Sequence, residues 1–277
     1  MPLIIVPTPV GNLGDMTLRG LEELRNADVI ACEDTRHTLR LLNHFGIKKP
    51  LLSCHEHNER ERADEIMRRV EEGQHVALVS DAGTPGLSDP GAVIVREAIA
   101  RGLPFDVLPG ANALLPALLI AGIGMESFVF VGFLKGKKDE KLARLAELRN
   151  LRETLVFYAA PHHLREDLAL MAQGLGDRRA ALVREISKLH QERIEGTLAS
   201  FCDTMPEEKI RGEFVCVVEG ARETQDEADE SDWREEAAAL IAAGASTKAA
   251  AEEIAARFGV QKNSVKKFII ENCIREA

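Results

Sequence analysis

Three short stretches of the chain concentrate the residue types that do chemistry. Glu33-Asp34-Thr35-Arg36-His37 sets two acids beside a guanidinium and an imidazole, and Arg184-Glu185 followed by Lys188 repeats the mixture of signs. Between them, Ala77 to Gly91 reads ALVSDAGTPGLSDPG, a brief apolar run that breaks into small residues, two Asp and three Gly. Gly83, Gly86 and Gly91 relieve crowding at Cβ, Pro85 and Pro90 fix φ, and Thr84 and Ser88 offer hydroxyls, which together describe backbone shaped to meet a ligand. The plain alternative is an Asx-rich turn leading into a helix near Gly91. Asp81 suits either a hydrogen bond to such a ligand or a local side chain to backbone bond. In the first cluster Arg36 suits a phosphate and Glu33 or Asp34 a hydroxyl; in the second, Lys188 would lower the pKa of a neighbouring hydroxyl. The competing structural readings are a helix N-cap at Asp34 or Thr35 with an ion pair to Arg36, and an exposed surface lysine at 188. Cys54-His55-Glu56-His57 and His162-His163 invite a metal, but their spacing matches no ligand set, and none is expected.

These groups can meet only if strand ends carry them. Leu3 to Val6, Val29 to Cys32, Val76 to Val79 and Phe105 to Leu108 are short strand-like runs separated by helical patterns. Ala63, Ile66, Met67 and Val70, for example, fall on one face of a helix that stops at Gly73. The βαβα alternation predicts a mostly parallel sheet covered on both faces over residues 1–109, and ligands in such sheets sit beyond the carboxyl ends of the strands. A second set, Phe128 to Val131, Leu155 to Tyr158, Ala181 to Val183 and Phe214 to Val218, predicts a second α/β domain over 110–220. Two further Gly-bearing loops follow strands: VPTPVGNLGDMTLRG after the first, with a helix beginning near Thr17, and LPGANAL after Leu108, opening another helix. Neither GxGxxG after a strand nor GxxxxGK[ST] occurs, so dinucleotide and triphosphate sites are not supported.

At 277 residues, 45% of them hydrophobic, the chain is long enough for two domains with sizeable cores. No apolar run approaches the ~20 residues of a spanning helix, and LIIV near the start lacks the basic flank of a signal peptide, so a cytoplasmic protein with no membrane partner is expected. Five scattered Cys without a CxxC pair suggest neither disulfides nor zinc, with Cys32 and Cys216 in the core. A net charge of -10 rules out an all-over basic surface, leaving any polyanion contact to local patches. One is Lys135 to Arg149, with six basic and three acidic residues and Lys135, Lys137 and Lys138 at its start; the other is Ile254 to Ile270, with four basic residues and no acid. Residues 221–231 read as an acidic linker, since Glu219 to Asp232 holds seven acids and one Arg. In 232–277 the spacing of Ala251, Ile254 and Ala255, then Gly259-Val260, then Ser264-Val265 is that of a helix-turn-helix, with Lys262, Lys266 and Lys267 on its second helix. Alone, that module would suggest a DNA-binding regulator; helical packing or dimer support is the simpler reading.

Taken together, VPTPVGNLGD (6–15), ACEDTRHTLRLL (31–42), LVSDAGTPGLSDPG (78–91), LPGANAL (108–114), FYAAPHHL (157–164), VREISKLHQE (183–192) and RGEFVCVVEG (211–220) resemble the tetrapyrrole methylase superfamily of S-adenosylmethionine-dependent methyltransferases, in its order and nearly end to end. The closer resemblance is to the branch that methylates the ribose 2′-hydroxyl of a cytidine in the decoding region of small-subunit (16S) rRNA. It implies two α/β domains with a cofactor cleft between them and a small helical appendage. The cofactor, S-adenosylmethionine, would be touched by Val10, by Ser80, Asp81, Ala82, Gly83 and Thr84, by Gly110, Ala111, Asn112 and Ala113, by Phe157, Tyr158 and Ala159, and by Phe214. Glu33, Asp34, Arg36, Arg184, Glu185 and Lys188 would then stand at the reacting ribose, and the two lysine groups would hold RNA, free or in an assembled 30S subunit. A homodimer is expected on the same ground. A small-molecule tetrapyrrole methylase is the alternative within the superfamily, disfavoured by the basic segments. The chain departs from the usual Tyr-Glu-Ser-Pro-His-Arg, having Tyr158-Ala159-Ala160-Pro161-His162-His163, which removes an acid and an arginine. Ser187 replaces a usual Thr, Asn112 a small residue and Lys135 a Pro.

Overall fold

The computed structural model describes residues 2–222 and 230–273. The chain forms two compact units, Met1–Gly220 and Ala221–Ala277. The larger is built on two five-stranded sheets.

The first sheet contains β1 (Leu3–Ile5), β2 (Val29–Cys32), β3 (Leu51–Ser53), β4 (Val76–Leu78) and β5 (Phe105–Val107), all parallel, in the order β3-β2-β4-β1-β5. Period-two alternation divides its side chains between two layers. Leu3, Ile5, Val29, Ala31 and Leu78 pack on α3 (Glu59–Glu71) and α4 (Ala92–Ala100) through Ile66, Met67, Ile94 and Ala98. Ile4, Ile30, Cys32 and Ala77 pack on α1 (Leu18–Asn26) and α2 (Thr35–His44) through Leu21, Leu24 and Leu42. Because every strand is short and parallel, its carboxyl end delivers a loop to the same edge. Strand β3 is an addition to the expected set: it is a half-buried edge segment of three residues, too short for periodicity to register.

The second sheet is mixed. Strands β6 (Phe128–Phe133) and β7 (Thr154–Ala159) are parallel, whereas β8 (Arg179–Arg184), β9 (Glu192–Thr197) and β10 (Phe214–Val218) pair antiparallel in the order β6-β7-β10-β8-β9. One face, through Leu155, Phe157, Leu182 and Cys216, meets α6 (Lys138–Leu148), α7 (Leu164–Leu175) and α8 (Leu198–Thr204). The other, through Val156, Ala181, Val183, Val215 and Val217, meets α5 (Leu114–Ala121). Strand β9, ERIEGT, is a second addition: as an edge strand it needs only alternate residues turned inward, and its charges blunt further pairing.

In the smaller unit α9 (Glu230–Ala242), α10 (Thr247–Phe258) and α11 (Lys262–Phe268) enclose Trp233, Ala237, Ala250, Ala251, Ile254, Val265 and Ile269. The Ser246 hydroxyl caps α10 by accepting from Ala249 N–H at 3.2 Å, and Gly259, at φ 69°, ends it in the left-handed conformation that favours glycine. The expected acidic linker lies mainly outside the described residues, and α9 already begins at Glu230. No helix among the described residues is long and apolar enough to cross a membrane.

Candidate active site

The loop leaving β1 and the loop leaving β4 are tied by an isolated antiparallel bridge, in which Thr8 N–H donates to Gly83 O at 2.9 Å and Gly83 N–H to Thr8 O at 2.8 Å. Gly83 turns at φ 82° to make it. The Thr8 hydroxyl donates to Ser80 O and the Ser80 hydroxyl to Gly83 O, so Ser80 is buried beneath the loop and holds its shape. Further along, the buried Glu59 carboxylate accepts from Gly91 N–H at 2.6 Å and Val93 N–H at 3.1 Å, satisfying the first donors of α4. Thr84 donates to Ala111 O at 3.2 Å, joining this loop to the one after β5. There the Asn112 side chain accepts from Leu115 N–H, and Gly110 runs so close to β1's exit that a Cβ would lie 2.7 Å from Pro7 Cβ.

Against this edge the second sheet brings the ends of β6, β7 and β10, enclosing a cavity of about 320 Å³. Ala82, Gly83, Thr84, Asn112 and Ala113 form one side of it and Phe133, Tyr158, Ala159, Pro161, Phe214 and Val215 the other, with Val10 and Leu87 completing the apolar lining. Two carboxylates, Asp89 and Glu213, face the same space. Burial first, then the charges of Glu33, Asp81 and Glu213, push the Asp89 carboxyl up to about 7. Burial and the charge of Asp89 push the Tyr158 phenol up to about 12.

The first polar cluster sits at the end of β2. Asp34 caps α2, accepting from Arg36 N–H at 2.8 Å, and also binds the Arg36 guanidinium at 2.9 Å. Arg36 thereby holds the Asp34 carboxyl down at about 2. Glu33 behaves oppositely: burial, then the charge of Asp81, raises its carboxyl. The tips of β2 and β4 are joined by a bond from Asp34 N–H to Asp81 Oδ1 at 3.1 Å. The second cluster occupies the tight turn from β8 to β9, where Glu185 and Ser187 take positive φ of 53° and 65°. Lys188 Nζ binds Glu185 at 2.9 Å and Glu213 at 3.2 Å. Partial burial opposes its charge, but the two carboxylates raise its pKa, so the ammonium persists. The Lys188 stem packs on Gly11, where a Cβ would come within 2.5 Å of Cγ, and the Ser187 hydroxyl donates to Asp15. Arg184 turns aside, to Glu192 at 2.8 Å and Lys209 O at 2.9 Å.

The family model of the Tetrapyrrole (Corrin/Porphyrin) Methylases matches residues 2–202. Ribosomal RNA small subunit methyltransferase I of Bacillus subtilis is 43% identical over 268 residues, covering 95% of this chain and 92% of the relative. The protein of the same name from Pseudomonas aeruginosa is 45% identical over 221 residues, 79% of this chain and 78% of that one. The chain belongs to the ribosomal RNA small subunit methyltransferase I branch of the tetrapyrrole methylase family. The fold is shared with solved structures: the methyltransferase CobJ superposes with a TM-score of 0.61 at 19% identity, covering 79% of this chain and 94% of that one. Diphthine synthase gives 0.61 at 16%, covering 78% and 89%.

Of the residues expected from the sequence to touch a cofactor, Val10, Ala82, Gly83, Thr84, Asn112, Ala113, Tyr158, Ala159 and Phe214 line the large cavity. Ser80 and Phe157 are buried behind it, Gly110 and Ala111 stay in the supporting loop, and Asp81 lines a separate, smaller cavity. Sequence reasoning passes over Asp89, Glu213, Phe133 and Pro161. Asp89 is legible in part, since it stands in the Gly-rich stretch, whereas Glu213 faces the cavity only because β10 pairs between β7 and β8. Of the basic residues in 135–149, Lys141 is consumed in a buried pair with Asp167 at 2.7 Å, and Arg144 pairs with Glu147. Lys135 is exposed, and Lys137 and Lys138 start α6. In the smaller unit Lys262 pairs with Glu252, and Lys267 is exposed on α11.

Proposed function

We propose that the chain transfers a methyl group from S-adenosylmethionine to small-subunit rRNA, at the ribose 2′-hydroxyl of a cytidine. What carries the reading is the identity of 43% running through 95% of the chain with a relative named for that RNA. The large cavity supports the donor. Adenosine and a thioether-bearing chain need apolar walls and a few polar groups, which Val10, Phe133, Tyr158 and Phe214 on one hand and the loops at Gly83 and Asn112 on the other provide. When bound, the donor supplies an electrophilic methyl group on a positively charged sulfur. Asp89 and Glu213 give the cavity the negative potential that favours such a cation.

The protein's remaining task is to orient the ribose and handle its proton, and orientation alone is worth on the order of 7–11 kcal/mol in favourable cases. Among the six candidate residues, Asp34 and Arg36 neutralise one another, Glu185 is bound by Lys188, and Arg184 is engaged with Glu192. Glu33, whose raised pKa makes it a better base than an ordinary carboxylate, and Lys188, a persistent cation next to cavity-lining Glu213, are the two we assign to the hydroxyl. The basic groups at Lys135, Lys137 and Lys138 and at Lys262, Lys266 and Lys267 would hold RNA, with residues 1–109 and 110–220 as the two catalytic domains and 232–277 as a docking module in a cytoplasmic homodimer.

Labelled methyl transfer from S-adenosylmethionine to naked small-subunit rRNA, to the assembled 30S particle and to a tetrapyrrole precursor tests the reading. Label on ribose of either RNA sample supports it. Label only on the tetrapyrrole, or duplex DNA binding with no transfer, overturns it. Light scattering giving the mass of one 30.4 kDa chain at micromolar concentration would remove the dimer.

A further inference from the structure

A second cavity, of about 190 Å³, lies beside the first, lined by Thr8, Pro9, Leu13, His37, Arg40, Leu41 and Asp81. The Thr8–Gly83 bridge is the wall they share: Gly83 borders the large cavity and Thr8 the small one. Pro9, Leu13 and Leu41 give the small cavity apolar sides. Asp81 Oδ1 is held by Asp34 N–H, while Oδ2 has no hydrogen-bond donor among the described residues. Arg40 and His37, one turn apart on α2, make no side-chain hydrogen bond or ion pair among the described residues, unlike Arg36.

Resting on the rRNA methylation reading with its cytidine acceptor, we infer that this second cavity receives the base of that nucleotide, that Asp81 accepts from its exocyclic amino group, and that Arg40 and His37 take the adjoining phosphate. An enzyme acting on one nucleotide of a structured RNA gains access by extruding it and reading the extruded base through its polar edge. The geometry fits that task in three ways. A ring plane needs apolar faces, which Pro9, Leu13 and Leu41 supply. A carboxylate oxygen accepts from an amino group but repels a carbonyl oxygen in the same place, so Asp81 selects an amine by attraction and excludes a carbonyl by repulsion. The third is position: the small cavity lies beside the donor cavity, across the Thr8–Gly83 bridge. Asp81 is thus a specificity residue for the acceptor.

The test uses the full chain and small-subunit RNA whose methylated position has been mapped with the wild-type protein. The RNA is then rebuilt with the amino group at that position replaced by a carbonyl, uracil for cytosine or hypoxanthine for adenine. Wild type should favour the amino-bearing RNA by at least about tenfold in kcat/KM. Asp81→Asn, whose amide oxygen still accepts from Asp34 N–H while its amide nitrogen presents donors, should abolish or invert that preference. Leu13→Trp, placed on a partly exposed residue, should fill the cavity and raise the KM for RNA about tenfold or more with the Kd for S-adenosylmethionine unchanged. An active Asp81→Asn that keeps the wild-type preference overturns the inference, as does an unchanged RNA KM in Leu13→Trp should the first variant not fold. A wild-type protein that labels no RNA overturns the functional reading instead.

Discussion

Asp89 offers the sharpest check on the electrostatics of the donor cavity. Its carboxyl titrates near 7 in the fold, against about 3.9 in an unfolded chain. Each factor of ten is worth about 1.4 kcal/mol, so ionising Asp89 costs the fold at most about 4 kcal/mol. The residue is only half-buried, and solvent screening brings a realistic figure to about 1–2 kcal/mol. The native state binds this proton more tightly than the unfolded state. Its contribution is therefore complete below about pH 4 and is lost as pH climbs to about 7, beyond which the difference is constant. Asp89→Asn removes the titration while keeping the shape. Urea unfolding of both proteins from pH 4.5 to 8.5, without ligand, should show nearly equal stability at the acid end and a variant more stable by about 1–2 kcal/mol at pH 8. A difference that stays flat with pH, or that favours wild type as pH rises, would refute the placement of Asp89 among Glu33, Asp81 and Glu213. Since the donor is a cation, its affinity for wild type should also rise between pH 6 and 8, and Asp89→Asn should lose that rise.

Three further outcomes follow from the loops and the basic helix. Glu59→Ala strips two N–H groups at the start of α4 of their acceptor, and should cost about 2–3 kcal/mol in urea unfolding while weakening S-adenosylmethionine binding, because the same loop walls the cavity. Gly110→Val forces a Cβ against Pro7, whereas Gly73→Val meets open space and suffers only from its φ of 86°; calorimetric titration should find donor affinity cut by about tenfold or more in the first, with Gly83→Val beside it, and preserved in the second, which loses only about 1–2 kcal/mol of stability. Removing charge at Lys262, Lys266 and Lys267 together should raise the RNA concentration needed and flatten the salt dependence by about one unit for each phosphate no longer neutralised, while Lys188→Ala should lower turnover at saturating RNA; the reverse pattern in a methyl-transfer assay would show the two regions wrongly assigned.

How far the sequence discloses this arrangement depends on what each strand must satisfy. Central strands such as Val29–Cys32 and Phe214–Val218 are buried on both faces, so they must be continuous apolar runs, and their bounds are legible to the residue. The edge strands Leu51–Ser53 and Glu192–Thr197 answer to one neighbour and to solvent, and so carry no comparable signature. Helix ends are legible where a cap demands a residue type, as at Thr17, Asp34 and Gly259.

The site divides along a similar line. Glycines and hydroxyls at strand ends announce a ligand-facing loop because local backbone geometry requires them, and Gly83, Thr84 and Asn112 do border the cavity. Which carboxylates converge there is set by sheet order, a long-range property. Asp89 gains its high pKa from burial together with Glu33, Asp81 and Glu213, positions separated by up to 180 residues (213 − 33). The same limit applies to Asp81: its position in the Gly-rich stretch suggests the donor, while in the fold it lines the smaller cavity with Thr8 and Pro9. A single pairing between two loops joins residues that border the two cavities, and no spacing along the chain encodes that pairing. Variants at the wall should separate the two roles, since Asp81 and Gly83, two residues apart, are expected to alter acceptor choice and donor affinity respectively.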